Sequence, residues 1–447
     1  MTTRSAVLPR SFRKKYPVAV KGEGAWIWDA DGKRYFDLSG SAAVNFIGHG
    51  DPAIAKAMSA QAGALEFVHS SQFTSQIAEE LAAEVLHFAG PPFEGGGVFF
   101  TCGGSEAVET ALKLGRQYQV EVGQTQRTRF LSRNQAYHGA TLGAMAVSGN
   151  RKRREIYLPL FLDSQKVNTP YCYRCLHGCA DCAMKYAGEV AATLEASGNE
   201  IAGFIFEPVS GATLGAAVPP DGYLQRVAET CRSHGVLVIA DEVMTGFGRT
   251  GKNFAVEHWN VQPDILIAAK GIASGYAPLG AVIASRKVLE AIDRGSGALV
   301  HGFTYNAHPI SVAAGRAALA KITGSGLVAE ASKDGAVGRA LKSELASLRE
   351  CESVGDVRGI GLLWGVEFVA DRASKKPFVA KEQYSSNVAV AASSRGVMTY
   401  PMQGCVDGFA GDHLLLAPPA VSTVEDIRWA IEQLKLAVHE VERSSRA

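Results

Sequence analysis

Asp264-Ile265-Leu266-Ile267-Ala268-Ala269-Lys270-Gly271-Ile272-Ala273-Ser274-Gly275 is an apolar run that ends on a lysine and opens into a glycine-rich turn. Upstream, Val238-Ile239-Ala240-Asp241-Glu242-Val243 has the same form, with an aspartate where the apolar run stops. Short apolar runs without polar alternation read as strands buried on both faces, which a mainly parallel sheet covered by helices requires. Further strands are expected at Gly97-Val98-Phe99-Phe100-Thr101, Arg129-Phe130-Leu131, Gly203-Phe204-Ile205-Phe206, Val236-Leu237-Val238-Ile239 and Ala281-Val282-Ile283. Helical stretches lie between them, one starting at Ser105-Glu106-Ala107-Val108 after a glycine pair. The alternation predicts an α/β fold whose strand ends converge on one edge.

The two ends of the chain read differently. Trp26-Ile27-Trp28-Asp29 and Tyr35-Phe36-Asp37 flank Asp31-Gly32, a hairpin signal. The stretch 358–368 alternates glycine with apolar residues like one sheet strand, and Ser422-Thr423-Val424-Glu425 resembles a capping box opening a helix. Apolar residues at Ile427, Ile431, Leu434, Val438 and Val441 give that helix one packing face. We therefore expect a large domain over 71–319, with its mainly parallel sheet flanked by helices, and a small α+β domain formed by 1–70 and 320–447.

Composition removes several function classes. An apolar fraction of 47% and a charged fraction of 20% over 447 residues describe an ordinary globular protein with no bilayer-spanning stretch. A net charge of +1 gives no field to attract nucleic acid. The basic run Arg151-Lys152-Arg153-Arg154 reads as a solvated loop or an intersubunit contact. The start of the chain lacks the apolar core of a secretory signal, so the expected location is cytoplasmic.

Four local patterns fit one chemistry. In Cys102-Gly103-Gly104-Ser105-Glu106, glycines and a hydroxyl stand at a helix N-terminus, where free N–H groups and the helix dipole suit a phosphate; a tight turn with a serine cap fits equally well. Tyr137-His138-Gly139 offers a flat ring for stacking, although a lone aromatic also suits plain packing. Asp241 by itself would pass for a helix cap. Together with Lys270 it supplies what pyridoxal phosphate needs: an amine to form a Schiff base and a carboxylate to hold the pyridine nitrogen protonated.

With those residues in view, the chain resembles the class III pyridoxal phosphate-dependent aminotransferases, the ω-aminotransferase group of fold type I. The resemblance spans Gly104-Ser105-Glu106-Ala107, Tyr137-His138-Gly139, Phe206-Glu207-Pro208, the block from Asp241 through Gly246-Phe247-Gly248-Arg249-Thr250-Gly251, and Lys270-Gly271 continuing to Pro278-Leu279-Gly280. It implies that Lys270 is the Schiff-base lysine and Asp241 the pyridine-nitrogen partner. It further implies Gly104 and Ser105 as the phosphate cradle and Tyr137 and Val243 as the two stacking faces. His138 belongs to the same cofactor-binding set, and Glu207 lies near the cofactor hydroxyl side and the substrate pocket. Thr304 corresponds to a threonine that reaches the phosphate of a neighbouring subunit, so a homodimer with shared active sites is expected. The implied reaction transfers an amino group from an amine or ω-amino acid donor to a keto acid such as pyruvate. Racemisation, decarboxylation, aminomutation and phosphate elimination on the same fold are the alternatives.

Two positions depart from the resembled pattern. Tyr400 stands where many relatives place a carboxylate-binding arginine, and tyrosine cannot make the two-pronged charged pair; another group such as Arg10, Arg13 or Arg395 has to substitute, or the substrate carboxylate is held differently. Ala42 replaces a bulky aromatic in the pocket-lining segment Ser39-Gly40-Ser41-Ala42-Ala43-Val44-Asn45, which implies a roomier pocket. The glycine-rich stretch 403–412 reads as a loop over the pocket or as a plain surface connection. Cys172, Cys175, Cys179 and Cys182, with His177 among them, have paired Cys-x2-Cys spacing. Their short linker is unlike a zinc ribbon, and the resembled family often has a cysteine pair in this region, so a loop feature is expected and no metal is assigned. A non-catalytic, metal-linked binding or regulatory protein is the remaining alternative, opposed by Lys270, Asp241 and the phosphate turn. Cys102, Cys231, Cys351 and Cys405 are scattered and read as buried packing.

Overall fold

The computed structural model describes residues 6–178 and 180–446. Its centre is a seven-stranded sheet in the order Gly97–Thr101, Gly280–Ala284, Ile265–Ala268, Leu237–Asp241, Ile201–Phe206, Arg129–Arg133, Gln165–Val167. Gly280–Ala284 runs antiparallel to both of its neighbours, and the other pairs are parallel. The short strand Gln165–Val167 was not anticipated from sequence.

The absence of polar alternation has a direct cause in the packing. Leu237 and Ile239 point to one apolar cluster, which they share with Ala107, Ala111 and Leu114 of helix Gly104–Glu121, whereas Val238 and Ala240 point to the opposite cluster. Both faces of each strand are therefore covered. Full burial of an aliphatic side chain contributes about 1.5–3 kcal/mol, so the sheet is held by burial on two faces.

The chain ends meet in space. Ala19–Glu23, Trp26–Asp29 and Arg34–Asp37 form an antiparallel run, and Val397–Met398 joins it in parallel pairing with Phe36 and Asp37. A separate antiparallel sheet has the order Val354–Ile360, Leu363–Phe368, Asp412–Leu416, Tyr400–Gln403. The stretch expected as one strand over 358–368 is thus the end of one strand, a turn and the whole of the next strand of a hairpin. Gly361 breaks it at φ +60°, where an added Cβ would lie 2.4 Å from the Thr250 carbonyl carbon.

The last helix, Val424–Arg446, buries Ile427, Ile431, Leu434, Val438 and Val441 as expected. Its cap is one residue later than the sequence suggests. Thr423 Oγ1 accepts from the Asp426 N–H at 3.0 Å and Asp426 Oδ2 accepts from the Thr423 N–H at 3.1 Å, while the Ser422 hydroxyl donates to the Pro419 carbonyl at 2.7 Å. Among the described residues no helix is long and apolar enough to cross a membrane.

Candidate active site

The parallel strands end in chemistry. Glu207 follows Ile201–Phe206, Asp241 closes Leu237–Asp241, and Lys270 stands two residues beyond Ile265–Ala268. The carboxyl edge of an open parallel sheet collects such groups because each strand there hands over to a loop. All three line one cavity of about 470 Å³, a volume suited to a small molecule or cofactor.

Helix Gly104–Glu121 starts at the cavity with no side chain capping its first turn, which leaves its N–H donors free to bind an anion. Gly104 is required by close approach: a Cβ there would sit 2.9 Å from Val243 Cγ1. Ser105 Oγ accepts from the Ala140 N–H at 3.0 Å and so ties this turn to the loop carrying Tyr137. Tyr137 and Val243 also line the cavity.

Asp241 and His138 form a pair that has no local signature in the sequence. His138 Nδ1 and Asp241 Oδ2 are 2.7 Å apart, and Asp241 Oδ1 accepts from the Val243 N–H at 3.0 Å. Both side chains are buried, and His138 Nε2 has no hydrogen-bond partner among the described residues. Glu207 accepts from the Tyr137 N–H at 3.1 Å and the Gly211 N–H at 3.0 Å, while burial pushes its carboxyl above the ordinary value. Burial pushes the Lys270 amine down to about 8, with the negative charges of Asp241 and Glu207 opposing the shift. Lys270 has φ +48°, a left-handed conformation costing an L-residue about 1–2 kcal/mol. These groups suit a cofactor with a phosphate, an aldehyde and a ring nitrogen.

Other predicted residues fall elsewhere. Thr304 is exposed in a turn and does not line the cavity of the single chain, although the carbonyl of its neighbour Tyr305 lies 3.8 Å from Cys102 Sγ. Tyr400 sits on Tyr400–Gln403, paired with Leu415 and packed against the core, away from the cavity. Ala42 is replaced at the wall by Val44. Residues Ser41, Ala42 and Ala43 have φ of 51°, 66° and 60°, a left-handed turn that carries Ala42 off the cavity. Asp37 holds this turn by accepting from Ser39 Oγ, Ser41 N and Ser41 Oγ at 2.8–2.9 Å.

Several minor expectations also change. The stretch 403–412 is a connection packed on Gln135 and Arg151 and does not cover the Lys270 cavity. Cys102 is half-buried at the cavity rather than packed in the core; Cys231, Cys351 and Cys405 are buried. The basic run is not simply solvated, since Arg154 donates to the Met145 and Ala146 carbonyls and Arg153 lies over the Tyr137 ring. Among the described residues Cys172, Cys175 and Cys182 form no group with metal-ligating geometry, and Cys179 lies outside the described residues.

Known proteins resemble this chain along nearly its whole length. The sequence matches the family Aminotransferase class-III over residues 9–438. It is 41% identical over 406 residues to an uncharacterised aminotransferase, YodT, of Bacillus subtilis (strain 168), covering 90% of each chain. It is 35% identical to the adenosylmethionine-8-amino-7-oxononanoate aminotransferase of Geobacter sulfurreducens, covering 95% of this chain and 92% of that protein. The structure superposes with a TM-score of 0.90 on a thermostable (S)-enantioselective omega-transaminase from Thermomicrobium roseum, at 36% identity over 98% of this chain and 96% of the other. A match of this length takes in the cavity, the strand ends that build it and both flanking sheets, and the chain therefore belongs to the class-III aminotransferases, pyridoxal phosphate-dependent enzymes of fold type I.

Proposed function

We propose that the enzyme moves an amino group from an amine or ω-amino acid donor to a keto acid such as pyruvate, using pyridoxal 5'-phosphate held in the Lys270 cavity. The observation that carries this reading is the convergence of Lys270, Asp241 and Glu207 on one cavity beside an uncapped helix N-terminus. The first turn at Gly104 and Ser105 would hold the phosphate, Tyr137 and Val243 would flank the ring, and Asp241, fixed by His138, would serve the ring nitrogen. When bound, the cofactor supplies an aldehyde that takes up amines and a cationic ring that accepts electrons from the substrate α carbon.

Lys270 would hold the cofactor through its amine and, when that amine is free, would act as the base that moves a proton at the substrate α carbon. An amine brought down to about 8 is a usable base near neutral pH. Glu207 lies on the cofactor hydroxyl side and borders the substrate. Thr304, exposed and outside its own cavity, serves the phosphate of a second copy, which makes the working unit a homodimer with shared sites. We assign 71–319 to the cofactor-binding domain and 1–70 with 320–447 to the small domain, and place the enzyme in the cytoplasm. The test is spectral: donors without acceptor should convert the cofactor to its pyridoxamine form. A Lys270→Ala variant that still turned over donor and acceptor would sink the reading, as would carbon dioxide or phosphate as the main product.

A further inference from the structure

A keto acid needs a cation in the pocket, and Tyr400 supplies none. The other arginines suggested by sequence are elsewhere: Arg395 pairs with Glu440 at 2.8 Å, and Arg10 and Arg13 are exposed. Arg249 is buried and donates to the carbonyls of Asn45, Ala417 and Pro418 at 2.7–2.9 Å. Arg154 also donates to backbone carbonyls.

Arg153 is different. Its guanidinium lies 4.7 Å from the centroid of the Tyr137 ring, with a long contact of 3.6 Å to Met402 Sδ. Among the described residues no oxygen accepts from that guanidinium and no carboxylate pairs with it. Its backbone is set in place by Asn150, whose Oδ1 accepts from the Arg153 N–H at 3.1 Å. It lines a cavity of about 370 Å³ that shares Tyr137 and Gly139 with the Lys270 cavity, so Tyr137 is a wall common to both spaces. Its charge is felt at Lys270, where it reinforces the lowering caused by burial. A guanidinium resting over an aromatic ring uses its face and keeps its in-plane N–H donors for a planar acid.

We propose that Arg153 receives the carboxylate of the keto acid acceptor, and of any amino acid donor, in place of the arginine absent at position 400. The assignment rests on the transaminase reading above and deepens it: the acceptors are acids whose carboxylate is presented on the Tyr137 side of the cavity. A two-pronged guanidinium–carboxylate pair gives both charge and orientation, which a neutral tyrosine cannot match.

The test compares wild type, Arg153→Gln and Arg153→Lys as holoenzymes, each converted to the pyridoxamine form with 1-phenylethylamine or β-alanine. Recovery of the aldehyde spectrum is followed with pyruvate and with benzaldehyde, which has no carboxylate. The ratio of kcat/KM for pyruvate to that for benzaldehyde should fall about 10- to 100-fold in Arg153→Gln, the loss of one charge-assisted pair, and recover in part in Arg153→Lys. A ratio unchanged within about 2-fold would assign Arg153 a structural role beside Tyr137 and overturn the proposal. So would a wild-type enzyme that accepts benzaldehyde but neither pyruvate nor 2-oxoglutarate. Failure of wild type with every donor and acceptor would instead remove the transaminase reading itself, and this assignment with it.

Discussion

Replacing His138 by phenylalanine keeps a ring of similar size in a buried position but removes the only side chain among the described residues that is bonded to Asp241. In the wild-type structure Asp241 Oδ2 faces His138 Nδ1 at 2.7 Å, and Oδ1 has the Val243 N–H at 3.0 Å. The variant leaves one oxygen of a buried carboxylate without a donor. A hydrogen bond to a charged group contributes about 1.5–3 kcal/mol, and an unsatisfied buried polar atom costs a similar amount. If Asp241 acts by keeping the ring nitrogen protonated, that energy appears in the proton-transfer step as a rate loss of about 10- to 100-fold. Stopped-flow spectra of the donor half-reaction, taken with saturating cofactor, measure it directly. Thermal unfolding of the same samples separates this effect from a general loss of stability, because His138→Phe retains the ring's apolar contacts. Half-reaction rates within about 2-fold of wild type would refute the view that His138 sets the state of Asp241. A rate loss matched by loss of bound cofactor would place the role in binding instead.

Three further expectations follow from local geometry. Because burial brings the Lys270 amine down to about 8, cofactor uptake by the apoenzyme should accelerate with pH and level off above about 8; a midpoint near the ordinary lysine value would contradict this. Burial alone would raise Asp37, but hydrogen bonds from His49, Ser41 and Ser39 outweigh it and hold the carboxyl below its ordinary value. Its contribution is therefore present above about pH 4 and lost as pH falls through the folded value. Asp37→Asn should lose about 3 kcal/mol in urea unfolding at neutral pH, with the gap to wild type narrowing in acid. Gly361→Ala should destabilise by about 2 kcal/mol or more, since φ is +60° and the new Cβ would meet the Thr250 backbone; equal urea midpoints for the two proteins would refute the contact.

How far the sequence could be read depended on the distance over which each decision was made. The strands and the face of Val424–Arg446 were legible because burial on two faces, or on one helical face, leaves an apolar record within a few residues. Lys270 and Asp241 were legible because a charge directly after an apolar strand is unusual in itself. The hairpin within 358–368 was not, because Gly361 is needed by the backbone of Thr250, far away in the chain. The cap at Thr423 was displaced by one residue because Ser422 and Thr423 have the same local chemistry, and only the position of Asp426 separates them.

The sequence by itself determined the fold class and the charged residues at the strand ends, since each is written in short-range patterns of apolar and charged side chains. Only the tertiary structure decided that His138 meets Asp241, that Val44 rather than Ala42 lines the cavity, and that Arg153 lies over Tyr137. Four consecutive cations carry no local mark of which ones turn inward or of what each will meet there. That choice is made by the ring, the sulfur and the cap that surround Arg153 once distant segments have packed.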